Sequence, residues 1–110
     1  MEIIFIETPD FVKKIEKIAS PEEFYQLQDE LLIDPEKGKI EKGTGGARKI
    51  RLKFGSRGKS GGARVIYYYV DLRGEVWFLD AYLKNEKERI SEEEKKKLYI
   101  FIKDVINGKE

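Results

Sequence analysis

Arg48-Lys49-Ile50-Arg51-Leu52-Lys53-Phe54 is the stretch that decides how this chain is read. Ile50, Leu52 and Phe54 alternate with Lys49, Arg51 and Lys53. Successive side chains of a strand point to opposite faces, so the pattern predicts a strand with an apolar core face and a cationic open face. Cations on that face lie about 7 Å apart, from a rise of about 3.3 Å per residue. Successive phosphates along one nucleic-acid strand lie a few ångströms to ~7 Å apart. One alternating strand fits an ordinary solvated sheet face equally well, but its surroundings do not. From Lys42 through Val70 there is no Asp or Glu, and eight residues are basic: Lys42, Arg48, Lys49, Arg51, Lys53, Arg57, Lys59 and Arg64. The whole chain carries +1, so the remainder carries −7. Solvated faces usually mix signs. A basic element on an acidic body suits phosphate recognition.

Outward from that strand, Gly55–Gly62 reads as a flexible basic connection. Its Gly58-Lys59-Ser60 resembles a phosphate loop but lacks the glycine spacing and the following helix, so nucleoside triphosphate binding is rejected. Ala63–Val70 is apolar on both faces and is expected to be a central strand. Asp71-Leu72-Arg73-Gly74 reads as a hairpin turn, and Glu75–Leu83 as the last strand. Upstream, Glu2–Ile6 is a short strand. Thr8-Pro9 starts a helix whose apolar face is Phe11, Val12, Ile15, Ile18 and Ala19. Ser20 and Glu23 have capping-box spacing and open a second helix, presenting Phe24, Leu27 and Leu31, that stops before Asp34-Pro35. Asp34–Gly46 reads as loop. Ser91 and Glu94 repeat the capping box before a last helix with Leu98, Phe101, Ile102, Val105 and Ile106 inward. The expected architecture is one α+β domain, residues 1–110. Its four-stranded antiparallel sheet has two N-terminal helices and a C-terminal helix covering one face.

Composition narrows the chemistry. The 110 residues, 40% hydrophobic and 39% charged, suit one globular domain. Without Cys there are no disulfides, thiol catalysis or Cys-based zinc sites, and without His the commonest acid/base group and metal ligand is missing. Neither cofactor nor metal is expected. No apolar run suffices for a membrane span, and the start lacks the basic and apolar regions of a signal peptide. The expected location is the cytoplasm.

Other candidates are positional. Arg64 opens the neighbouring strand and is placed to join the cationic face. Tyr82, Lys84 and Asn85 end the last strand beside Lys87. An exposed tyrosine there would stack on a base. Tyr67, Tyr69 and Trp77 read as core. Asp80 lacks a second carboxylate at metal spacing. Glu92-Glu93-Glu94 is the favourable acidic first turn of a helix.

Three segments together resemble the HigB branch of the RelE toxin superfamily: Gly43-Thr44-Gly45-Gly46-Ala47-Arg48-Lys49-Ile50-Arg51, Gly58-Lys59-Ser60-Gly61-Gly62-Ala63-Arg64-Val65-Ile66-Tyr67-Tyr68, and Tyr82-Leu83-Lys84-Asn85-Glu86. The resemblance implies a small fold like that of microbial ribonucleases, ribosome-dependent cleavage of mRNA in the A site, and neutralisation by a cognate HigA-like antitoxin. It carries Lys49, Arg51, Lys53, Arg64, Tyr82 and Lys84 over as the catalytic set. It adds Asn85 as an RNA contact, and beside it Arg57 and Lys59 of the basic connection, with Arg48 and Lys87, are the further expected RNA contacts. Some relatives have Arg or His where this chain has Asn85, so the general acid is not assigned.

The implied reaction is attack of an RNA 2′-OH on the adjacent phosphate. It needs a base, cations on the phosphorane and an acid for the leaving 5′ oxygen. Arg64 is the expected phosphate clamp. Lys49 or Lys53 is the expected base, and Tyr82 or Lys84 donates the proton or orients the RNA. Two alternatives stand beside this: a catalytically silent RNA- or antitoxin-binding protein on the same fold, and a ParE-like gyrase poison.

Overall fold

The computed structural model describes residues 2–53 and 62–108. The elements run β1 (Ile4–Glu7), α1 (Pro9–Ile18), α2 (Pro21–Ile33), β2 (Lys39–Ile40), β3 (Arg48–Leu52), β4 (Ala63–Val70), β5 (Glu75–Leu83) and α3 (Glu92–Ile100). The last helix widens into π-helical turns over Phe101–Ile106. Phe54 and the basic segment to Gly61, with Arg57 and Lys59, lie outside the described residues.

Local chemistry sets the helix starts. Pro9 and Pro21 occupy first-turn positions where a missing N–H costs nothing. Ser20 accepts from the Glu23 N–H while the Glu23 carboxylate accepts from the Ser20 N–H, and Ser91 and Glu94 do the same for α3. Thr8 departs from this pattern. It is the N-cap of α1, but its hydroxyl donates to the Phe78 carbonyl at 2.9 Å and so pins the helix start to β5.

The sheet order is β1-β5-β4-β3-β2. The expected four antiparallel strands are therefore corrected to a five-stranded mixed sheet. β1 pairs parallel to β5, from Ile4 opposite Glu75 to Glu7 opposite Phe78. Such a pair needs a crossover, and the α1–α2 hairpin with the following strands supplies it. β2 lies in the stretch expected to be loop and pairs antiparallel with β3.

The helices cover both faces, not one. On the first face Phe11, Ile15 and Ile18 of α1 and Phe24, Leu27 and Leu31 of α2 pack on Ile50, Leu52, Val65, Tyr67, Val76, Phe78 and Ala81. On the second, Ile102 and Ile106 pack on Ile66, Val70, Trp77, Leu79 and Tyr82. β4 contributes to both clusters, which accounts for its unbroken apolar run. Between Ile66 and Tyr67 the β4–β5 register slips: Ile66 faces Asp80 but Tyr67 faces Phe78, leaving Leu79 as the extra residue of a bulge.

Phe78 is the junction of the first core. Its ring lies 5.6 Å from Phe5, 5.1 Å from Phe11 and 5.0 Å from Phe24. Truncating Phe78 to Ala should cost about 3–5 kcal/mol in urea unfolding. Leu72→Ala, at a site 97% exposed on the β4–β5 turn, should cost less than about 0.5 kcal/mol.

Candidate RNA-binding face

Strand pairing puts Lys49, Arg51, Arg64 and Tyr82 on the second face, the one α3 partly covers. Arg51 lies directly opposite Arg64, and Arg64 opposite Tyr82, across three adjacent strands. Lys49 lies opposite Lys39 of β2, a cation that sequence reading missed because a two-residue strand carries no periodicity. Arg51 and Lys39 are exposed, and Arg64 is half-buried. Lys53 follows the end of β3 and is exposed.

Arg48 is not on this face. It shares the first face with Ile50 and Tyr67, its cross-strand neighbour. Its guanidinium donates to the carbonyls of Glu36 at 3.0 Å and Gly38 at 2.8 Å, and sits 3.6 Å from the Glu36 carboxylate. Tyr67 completes the clamp, donating to the Pro35 carbonyl at 2.9 Å and accepting from the Gly38 N–H at 2.9 Å. Gly38 is required there, since a Cβ would lie 2.9 Å from the Tyr67 ring and 3.0 Å from the Lys49 carbonyl. Arg48 thus ties the segment leading into β2 to the start of β3.

At the far end of the face, Lys84 donates to the Glu88 carbonyl at 2.8 Å, and Asn85 is exposed. Lys87 pairs with Glu94 at 2.6 Å and sits 5.0 Å from the centre of the Tyr82 ring. Tyr82 is only 7% exposed, and its hydroxyl is sealed from solvent with no hydrogen-bond partner among the described residues. Burial raises its pKa above the ordinary phenol value, and the carboxylate of Glu41 adds to this while Arg64 opposes it. Tyr82 therefore lies beneath the cationic residues as a neutral floor.

Acidic groups reach the face at its margins. Glu41 lies 3.1 Å from Lys49 and 4.0 Å from Lys95 of α3. Asp80 turns away to Lys14 of α1 at 2.7 Å. Burial disfavours the Lys14 charge, but the hydrogen bond and the charge of Asp80 outweigh it and raise the pKa. Among the described residues Arg51 has no carboxylate partner. A cleft of about 490 Å³ opens between α1 and α3, lined by Lys14, Asp80, Glu94, Lys97, Leu98 and Phe101 among others. It lies apart from the arginines.

The family model for the RelE toxin of the RelE/RelB toxin–antitoxin system matches residues 12–110. This chain belongs to the RelE toxin family. Among solved structures, a double arginine-to-alanine mutant of the E. coli toxin RelE in the free state is 21% identical, with a TM-score of 0.57, over 80% of this chain and 90% of that one. The intact E. coli RelBE toxin–antitoxin complex gives 21% identity and a TM-score of 0.55 over 73% of this chain and 94% of the matched chain. At that identity the two structures support the shared fold, and the family match supports a toxin of a toxin–antitoxin system. No helix among the described residues is long and apolar enough to cross a membrane.

Two contrasts test this geometry. A buried hydroxyl without a partner costs about 1–3 kcal/mol. Tyr82→Phe should therefore raise stability by about 1 kcal/mol in thermal or urea unfolding. Tyr67→Phe, which strands the Gly38 N–H and the Pro35 carbonyl, should lower it by about the same or more. Glu94 gives a pH signature. Burial disfavours its charge, but hydrogen bonds from Lys87 and the Ser91 N–H win and hold its pKa below the ordinary carboxylate value. A depressed carboxylate stabilises the fold above its unfolded pKa, and that contribution is lost as pH falls through the folded value. Glu94→Gln should accordingly be less stable than wild type at neutral pH, with the deficit vanishing in acid unfolding below that value.

Proposed function

We propose that this toxin is a ribosome-dependent endoribonuclease that cuts translated mRNA at the A site. The observation that carries the reading is the Arg51–Arg64 pair, in register on the open part of the second face beside Lys49. Like charges directly opposite each other destabilise a sheet. Arg64 also donates to the Ala63 carbonyl at 3.2 Å, and two guanidiniums side by side in that register offer an anion several donors at once. Guanidinium is planar, stays charged and grips phosphate through two donors.

In the proposed reaction the 2′-OH gives up its proton and attacks the adjacent phosphorus, the P–O bond to the 5′ oxygen of the next nucleotide breaks, that oxygen takes up a proton to leave as a 5′-OH, and a 2′,3′-cyclic phosphate is left. Arg64 and Arg51 neutralise charge on the non-bridging oxygens as the phosphorane forms. Lys49 stands alongside as a third cation, with Lys53 and Lys84 at the rim. The sealed Tyr82 hydroxyl supports the phosphate face from below. The cytoplasm, where ribosomes translate, is the compartment this reading requires.

Within the family we place the chain with the HigB branch, on the three segments quoted above, and expect a HigA-like antitoxin. The E. coli relative is seen with RelB in the RelBE complex, so a RelB-type antitoxin is the competing partner. Co-expression with each antitoxin type separates the two.

Primer extension on mRNA in a translating extract tests the activity. Wild type should produce cuts within translated frames. Arg64→Ala should reduce them at least about 100-fold, the scale for losing one group that stabilises developing charge. Equal cutting of naked RNA would overturn the ribosome requirement. Intact mRNA alongside DNA breaks would overturn the nuclease reading in favour of a gyrase poison.

A further inference from the structure

Glu41 is a carboxylate built into a face otherwise suited to anions. Its position is set by the backbone. The Glu41 N–H donates to the Ala47 carbonyl at 2.8 Å, and the Glu41 carbonyl accepts from the Thr44 hydroxyl at 2.7 Å. Thr44 is fully buried, and its oxygen also accepts from the Ala47 N–H at 2.9 Å. From this closed turn one carboxylate oxygen reaches Lys49 at 3.1 Å and the other lies 4.0 Å from Lys95, with the Glu41 side chain only 17% exposed. Exposed ion pairs between two mobile side chains contribute little. This pair is mostly enclosed, and the backbone of its acidic partner is fixed by two hydrogen bonds.

We propose that Glu41 is a positioning residue, which fixes the Lys49 ammonium for an RNA phosphate and does so at the expense of RNA affinity. The inference rests on the endoribonuclease reading above. A lysine side chain samples many rotamers when nothing holds it. A cation misplaced by about 1 Å costs up to ~100-fold in rate. The same carboxylate repels the incoming phosphate backbone through space. Its two effects therefore run in opposite directions: it speeds the chemical step and weakens binding.

Glu41→Gln keeps the size of the side chain and removes the charge. Two measurements read it. One is the single-turnover rate of cleavage on programmed ribosomes. The other is affinity for a short single-stranded RNA whose 2′-deoxy substitution at the cut position prevents cleavage. The expected result is a rate about tenfold lower, within the range for a misplaced group. Affinity should rise about two- to threefold at low salt, and the gain should shrink as salt screens it. Glu41→Asp, which keeps the charge, should return affinity to the wild-type value and recover part of the rate. A rate equal to wild type in Glu41→Gln overturns the proposal and leaves the nuclease reading standing. A parallel fall in rate, affinity and melting temperature also overturns it, since that is the signature of a structural role. Failure of wild type itself to cut on the ribosome overturns the nuclease reading and the proposal with it.

Discussion

The floor of the cationic face depends on a one-residue slip between two strands. Alternation along β5 from Phe78 would put Asp80 and Tyr82 on the side of the α1–α2 hairpin. The bulge at Leu79 reverses the parity. Ala81 then joins the first core, while Asp80 and Tyr82 land opposite Ile66 and Arg64 on the other face. A small residue thus packs under the helical hairpin, and a flat aromatic ring lies beside the arginine. A slip of one residue exchanges every side chain beyond it between faces, so Tyr82 lies beside Arg64 only with this register. The β1–β5 pairing and the Thr8 bond to Phe78 secure β5 on the near side of the bulge.

Charge is then distributed by layer. Arg51, Arg64, Lys49 and Lys39 gather where α3 leaves the second face open. Several acids are engaged around them: Glu36 with Arg48, Glu30 with Lys37, Glu94 with Lys87, Glu92 with Lys95. These pairs staple the helices and turns that frame the face, leaving its centre positive. Glu41 instead pairs with a cation of the face itself, Lys49, which is why a positioning role is assigned to it. The net charge of +1 conceals this arrangement, because a near-neutral total is the sum of a positive site and a negative frame.

Much of this was legible in the sequence where short-range chemistry decides the outcome. Ser20-Pro21 with Glu23, and Ser91 with Glu94, specify helix starts within four residues. The alternation through Lys49, Ile50, Arg51 and Leu52 specifies which side chains share a face. The misses have long-range causes. β2 is two residues long and is held by Tyr67, Arg48 and Gly38 from outside it. The parallel partner of β1 lies about seventy residues away. The covering of both faces depends on where α3 docks, and its amphipathic pattern does not say which side of the sheet receives it. The alternation already placed Arg48 with Ile50, away from the other cations. Its position at the strand end lets the stem lie along the apolar surface while the head finds carbonyls. The bulge that moves Tyr82 leaves no mark in the residue pattern, because Leu79 reads as one more apolar strand residue.

The proposed reaction must also work without histidine. Guanidinium groups stabilise negative charge but do not exchange protons near neutral pH. The Tyr82 hydroxyl is enclosed and its pKa is raised, so it is poorly suited to act as a base. A face so equipped favours the phosphorane and contributes less to moving the proton from the 2′-OH or to the leaving oxygen. The missing rate enhancement has to come from alignment of the attacking oxygen, the phosphorus and the leaving oxygen. Effective molarities for well-oriented groups reach about 10⁵–10⁸ M. A single-stranded message free in solution does not hold that alignment, whereas one gripped in a decoding site can. On this argument, dependence on the ribosome follows from the residues the chain lacks as much as from those it carries.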